Sequence, residues 1–169
     1  IVIKKFVTKP ILGKGISNHK LLGEWLCGGA SNAGAKILLD LFNREYIEEL
    51  SRQINTKKTT GINLIPLSKP GERFPIDDPN LQPKLLPRPV SDSLYLHAIF
   101  EGLTKIEARG WQKLNELGAD LPRQIITIGG GAKNIAWKKI RKKEIGIPIK
   151  TCDRPPAAGV ASIALKAIE

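Results

Sequence analysis

The 169 residues are 41% hydrophobic and 25% charged, an ordinary globular composition that argues against disorder and leaves room for one domain with a real core. Lys and Arg outnumber Asp and Glu 27 to 16, and the net charge of +11 raises the question of an anionic partner. No apolar run is long enough to cross a bilayer and no signal-peptide pattern opens the chain, so no membrane partner is expected; Cys27 and Cys152 lack CxxC spacing, which argues against a zinc site or disulfide framework.

In chain order, residues 1–7 mix apolar and basic side chains as an exposed-edge strand does, and residues 24–27 follow the Gly23 turn as a second short strand. The two are expected to pair as a hairpin. Ser31 or Asn32 can cap a helix through Ala35, Ile37, Leu38, Leu41 and Phe42, and Ile47 and Leu50 continue the apolar face in a second helical piece. From residue 55 to 90, seven prolines from Pro66 to Pro89 forbid a long helix, while Leu64, Ile65, Phe74 and Leu81 anchor what reads as an ordered loop excursion.

The strongest periodic signal follows. Leu96, Ile99, Leu103, Ile106, Gly110, Leu114 and Leu117 are spaced by three or four residues, after a Ser91/Asp92 start and before Gly118, which predicts one long helix. Gly102 and Gly110 inside it each cost about 1 kcal/mol against alanine, so close packing against another backbone is the expected compensation. A strand over 124–128, three consecutive glycines, a basic helix over 133–145, a strand over 147–152 and a last helix from Pro155 or Pro156 complete the order. Strands alternating with helices imply a parallel sheet in the second half joined to the hairpin of the first.

The densest charge cluster is Lys138, Lys139, Arg141, Lys142 and Lys143. On a helix, Ala136, Trp137 and Ile140 share one face, which leaves most of these charges on the opposite, solvated face. Only 5% of residues are aromatic, so base-stacking rings do not alternate with the charges, and a nucleic-acid partner is disfavoured. His19 is placed in a turn and His97 beside the apolar stripe of the long helix; both read as structural or solvated. Asp77 and Asp78 read either as turn chemistry before a proline or as a base or metal ligand.

Three glycine-bearing stretches carry whatever chemistry there is. "CGGASNAG", residues 27–34, follows a strand and opens a helix, where free N–H groups can face an anion. "GGGAKN", residues 129–134, fits only part of a dinucleotide fingerprint, because Asn134 stands where a third glycine is wanted, and "GKGISNHK" has the wrong order for a P-loop. "PPAAGVASIALKA", residues 155–167, has small residues on nearly every face and reads either as close helix packing or as part of a site.

In this order, "WLCGGASNAGAKILLDLF", "IPLSKPGERFPIDDPNLQP", "IITIGGGAKNIAWKKI" and "RPPAAGVASIALKA" resemble the carboxy-terminal domain of the FGGY carbohydrate kinases, and within that family the pentulose kinases. The resemblance covers nearly the whole chain, residues 1–169. It implies an α/β domain of the actin-like ATPase, ribonuclease-H-like class, a mixed sheet flanked by helices, with the proline-rich excursion at 55–90 inside it. It also implies ATP, with Mg2+ held mainly through the phosphates, and transfer of a phosphoryl group to a pentulose such as D-ribulose or D-xylulose. Carried over by position, Gly130, Gly131 and Ala132 line the adenine and ribose, Asn134 bonds near the base, and Gly29, Ala30 and Ala33 approach from the opposite segment. Ala33 stands where some relatives carry a longer polar residue.

The family's catalytic Asp, its phosphate-binding turn, its sugar-binding domain and the first strand of this domain have no counterpart here. The chain is therefore expected to be a fragment, or a truncated product whose partner supplies the rest, and to lack kinase activity alone. The implied partners are ATP or ADP, a sugar held by the other domain and a second copy in a homodimer, in a cytoplasmic or plastid setting. The alternative is a non-catalytic basic module that binds nucleotide or nucleic acid.

Overall fold

Alternating exposed and buried residues at the start of the chain form β1, Val2–Val7, with Ile3 buried and Val2 and Phe6 exposed. In the computed structural model, which describes residues 1–168, β1 pairs antiparallel with β3, Glu24–Ala30, as expected. It is not a direct hairpin. A third strand, β2, Ile16–Leu21, comes between them in sequence and pairs with the other side of β3, giving the order β1-β3-β2. The β2–β3 connection is two residues, Leu22 and Gly23, with φ of 49° and 84°, the backbone a tight hairpin needs to match strand twist. Leu22 pays for that conformation with a side chain, and half of the hairpin signal therefore went unseen.

The helical region is two pieces, α1, Lys36–Leu41, and α2, Arg44–Gln53. Neither Ser31 nor Asn32 caps the first: Ala35 stands at its N-cap, while Asn43 caps α2 by accepting from Tyr46 N at 2.8 Å. Residues 55–90 form the excursion without helix or named strand, held by isolated bridges Ile65–Lys84 and Glu72–Asp78. The long helix α3, Asp92–Glu116, starts at Ser91, whose side chain accepts from Leu94 N. Gly102 approaches another backbone as expected, whereas Gly110 meets side chains only. A Cβ at Gly102 would lie 2.9 Å from both the Leu64 carbonyl and the Pro66 ring, and one at Gly110 would overlap Ile3 Cδ1.

Helix α3 is the spine of the core. One face buries Leu96, Ile99, Phe100 and Leu103 against Ile37 and Leu38 of α1, Ile47 and Leu50 of α2, and the excursion residues Leu64 and Leu67. The other end buries Trp111 and Leu114 against Ile3, Cys27 and Phe74. Each large apolar side chain removed from water in this way contributes roughly 1.5–3 kcal/mol.

Beyond α3 lie β4, Ile125–Thr127, a 3-10 turn at Gly130–Lys133, α4, Ile135–Ile145, β5, Ile149–Thr151, and α5, Pro156–Ile168. Strands β4 and β5 are parallel, as the strand–helix alternation implies, but they form a separate two-stranded sheet rather than a continuation of β1-β3-β2. The small residues of α5 do not serve close packing: Gly159, Val160, Ala161 and Leu165 are exposed. No described helix is long and apolar enough to cross a membrane.

Candidate functional site

The turn after β4 is built from backbone freedom. Gly129 has φ of 91°, where a side chain is strained, and it redirects the chain from the strand into the 3-10 turn. Gly130 follows with no heavy atom within 4 Å of where a Cβ would stand, and without a left-handed backbone. Gly131 is different. A Cβ there would lie 2.5 Å from the Trp137 ring, so the close packing of the protein's own indole requires a glycine here. Trp137 is itself fixed, stacked on Phe100 with centroids 5.3 Å apart and donating from Nε1 to Thr104 Oγ1 at 3.1 Å.

Asn134 ends the turn and begins α4. Its Oδ1 accepts from Trp137 N at 2.9 Å as an N-cap, and its Nδ2 donates to Ser51 Oγ at 2.8 Å, which ties α4 to α2. One donor and one acceptor position of the amide remain for a ligand.

Between this turn and the α1–α2 pair opens a cleft of about 850 Å³, a volume suited to a nucleotide-sized ligand. Gly130, Gly131 and Asn134 line it on one side, and Ala35, Leu39, Ile47 and Ser51 on the other. Its charged lining is Lys36, Arg44, Arg52, Lys133 and Lys139 against Glu48, five cations to one anion. An apolar floor with a cationic rim suits a flat ring carrying phosphates. Arg44, Glu48, Ser51 and Arg52 were not legible as site residues. The spacing of Arg44, Ile47, Glu48 and Ser51 along α2 puts them on adjoining stripes, but nothing in it says which stripe faces a ligand.

The remaining sequence-predicted contacts lie elsewhere. Gly29 is buried in β3, where a Cβ would overlap the Phe74 ring; Ala30 pairs with Val2; Ala33 is 1% exposed inside the core. Ala132 is buried at the inner side of the turn and does not line this cleft. Gly29, Ala30 and Ala33 belong to the end of β3 and its connection to α1. Their segment is fixed by Glu72, 2% exposed, whose carboxylate accepts from Ser31 Oγ at 2.6 Å and from the N–H groups of Asn32 and Arg73, both at 2.8 Å. The "GER" stretch is thus an architectural clamp between the excursion and the β3–α1 connection.

The basic helix is not a uniform solvated face. Arg141 is buried and forks onto Glu107 at 2.6 and 2.7 Å, with Nη1 donating to Thr127 Oγ1 at 3.1 Å. Lys139, Lys142 and Lys143 are the exposed members. His19 is exposed on β2, not in a turn, and His97 is buried with Nε2 3.4 Å from Glu101; burial lowers its pKa, Glu101 opposing and Lys143 reinforcing the shift. Asp78 Oδ1 accepts from Asn80 N at 2.8 Å, which is turn chemistry, and Asp77 faces Lys14 at the surface. Among the described residues no group of three or more His, Cys, Asp and Glu converges to hold a metal ion.

Comparison with known proteins gives the fold its class. The ligand-bound xylulose kinase of Lactobacillus acidophilus matches 98% of this chain and 36% of its own, with a TM-score of 0.79 at 18% identity. The gluconate kinase of the same organism matches the same shares with a TM-score of 0.77 at 16% identity. In sequence, L-fuculokinase of Escherichia coli strain K12 is 32% identical over 59 residues, 35% of this chain and 12% of that protein. No family model matches the chain. The fold is the actin-like ATPase, ribonuclease-H-like fold of the sugar kinases. The resemblance to the FGGY carbohydrate kinases is borne out, since the similar proteins found in backbone and in sequence are carbohydrate kinases. The chain spans about a third of the length of the solved kinases and matches a smaller share of the curated one.

Proposed function

We propose that these 169 residues are the nucleotide-binding domain of an ATP-dependent FGGY carbohydrate kinase, which phosphorylates a sugar hydroxyl, of a pentulose such as D-ribulose or D-xylulose. The observation that carries this reading is the cleft between the glycine turn and α2, with its open Gly130, apolar floor and five cations against one anion. The purine lies over Gly130 and the peptide plane that follows it. Ser51 and the remaining amide positions of Asn134 give it direction, and the cationic rim takes the phosphates. Mg2+, held through the phosphates rather than by side chains of this chain, would supply neutralisation of the phosphate charge.

These residues bind and orient; positioning and charge neutralisation supply most of the rate in phosphoryl transfer. The base that takes the sugar proton and the sugar contacts are assigned to the part of the kinase outside this match. Gly29, Ala30, Ala33 and Ala132, which do not line this cleft, carry no ligand contact in this reading.

The test is an ADP titration of the 169-residue chain followed by backbone amide shifts. Shifts centred on Gly130, Gly131, Asn134 and Ser51 support the reading. Shifts confined to Lys142 and Lys143 would contradict it. A nucleic-acid module is the weaker alternative, because the Arg141–Glu107 pair withdraws the central cation of the basic cluster from solvent.

A further inference from the structure

Between the end of α2 and the body of the excursion, residues 54–62 run as a strap beside the cleft, and Ile54 and Thr56 are part of its lining. Ile54 and Ile62, at the two ends of the strap, pack against the core, while Lys57, Lys58 and Thr59 in its middle are exposed. Two charged groups tie that middle down. Glu101 of α3 accepts from Thr60 N at 3.2 and 3.3 Å and from Thr60 Oγ1, which itself accepts from Ile62 N at 3.1 Å. Lys143 of α4 donates from Nζ to Lys57 O at 3.0 Å.

His97 stands among these ties without one of its own. It lies one turn before Glu101 on α3 and is 5% exposed, and its Nε2, 3.4 Å from Glu101 Oε1, has no hydrogen-bond partner among the described residues. A buried nitrogen ordinarily finds a partner. Two charged groups act on this one from the elements packed around it: Glu101 of α3 favours a proton and Lys143 of α4 opposes it, while Lys57 and Lys58 of the strap carry their charges in solvent. Burial outweighs the help from Glu101. An imidazolium in this place is therefore desolvated, repelled by Lys143, and in competition with Thr60 for the Glu101 carboxylate.

We propose that His97 and Glu101 form an acid-released latch: the strap is held on α3 while His97 is neutral and comes away when His97 takes a proton, which frees one wall of the cleft. The open strap lets water reach the imidazole, so the open form binds the proton more readily and gains population as pH falls. The ordinary histidine value is 6.5 and the latched value lies below it, so the hold is complete above 6.5 and weakens below it. The opening is local, because the strap rests on few ties and exposed residues whereas Leu96, Ile99 and Leu103 of α3 are fully buried. The latch concerns the strap and stands whether or not the cleft binds nucleotide.

The test is amide hydrogen exchange of the 169-residue chain at about pH 7.5 and about pH 5.5, each rate divided by the intrinsic rate at that pH, beside a titration of the imidazole ring protons. His19, exposed on β2, is the internal reference. Thr60 and Ile62 should open at least about tenfold more often than Leu103 at both pH values. Their opening should rise roughly three- to tenfold on acidification, ten being about the ceiling that one proton sets over that span. The rise should follow the titration of His97 rather than that of His19, and it should disappear in His97→Gln, shown to be folded by circular dichroism. Should the variant not fold, the wild-type midpoint alone decides. Equal protection of Thr60 and Leu103 would make the opening global and overturn the proposal. So would a rise that is absent from the wild type, tracks His19, or persists in His97→Gln.

Discussion

Ser31 Oγ donates to the buried Glu72 carboxylate at 2.6 Å across 41 residues of sequence. The bond joins the end of β3 to the proline-rich excursion, and the carboxylate also accepts from the backbone N–H groups of Asn32 and Arg73 at 2.8 Å and of Phe74 at 3.3 Å. A charge so placed is tolerable only because its oxygens are occupied.

Removing the carboxylate leaves those donors unpaired. Glu72→Ala is expected to lower stability by roughly 2–4 kcal/mol and Ser31→Ala by about 1–2 kcal/mol. Urea unfolding measures both; losses under about 0.5 kcal/mol would mean that the excursion is held by its apolar anchors alone.

The Arg141–Glu107 pair gives a second expectation, specific to one member of the basic cluster. Arg141→Ala should cost roughly 3–5 kcal/mol, because it strands a buried carboxylate. Lys142→Ala should stay within about 0.5 kcal/mol. Equal effects at the two positions would contradict the burial of Arg141.

His97 sets a pH dependence. Burial holds its imidazole below the ordinary 6.5, so the unfolded chain takes up the proton first as pH falls. Its contribution is complete above the unfolded value and is lost as pH falls through the folded one. Thermal melts between about pH 7.5 and about pH 5 should show a steeper loss in the wild type than in His97→Gln. Parallel curves would remove His97 from the pH response.

Long-range periodicity and glycine made much of the fold legible. The spacing of Leu96, Ile99 and Leu103 marked α3, and the two glycines within it marked close packing, whose partners, Leu64 and Ile3, only the fold reveals. What escaped had physical causes. The polar alternation of β2, with Asn18 and His19 on an edge, offered no buried face to read, and Leu22 took a positive φ without being glycine. Ser31 looked like a cap because its true partner, Glu72, is distant in sequence. In the site, the turn itself was legible, but not that Trp137 fills the space beside Gly131, nor that α2 supplies the facing wall. Such contacts depend on how elements pack, which local spacing does not encode.

Gly130 and Gly131 separate packing from ligand space. Gly131→Ala should destabilise the fold by roughly 1–3 kcal/mol through overlap with Trp137. Gly130→Ala meets no neighbour and should change stability by no more than about 0.5 kcal/mol. The reverse order in urea unfolding would contradict the geometry of the turn.

The most direct measurement of the proposed nucleotide seat is therefore an ADP titration of the wild type and of Gly130→Val, read by amide shifts after circular dichroism shows both folded. In the 169-residue chain the affinity is expected to be weak, in the millimolar range at about −4 kcal/mol. Shifts at Gly131, Asn134 and Ser51 in the wild type that vanish in Gly130→Val are the predicted result. Equal shifts in both proteins, or shifts only at Lys139, Lys142 and Lys143, would mean that charge alone holds the nucleotide and would contradict a purine seat on the glycine turn.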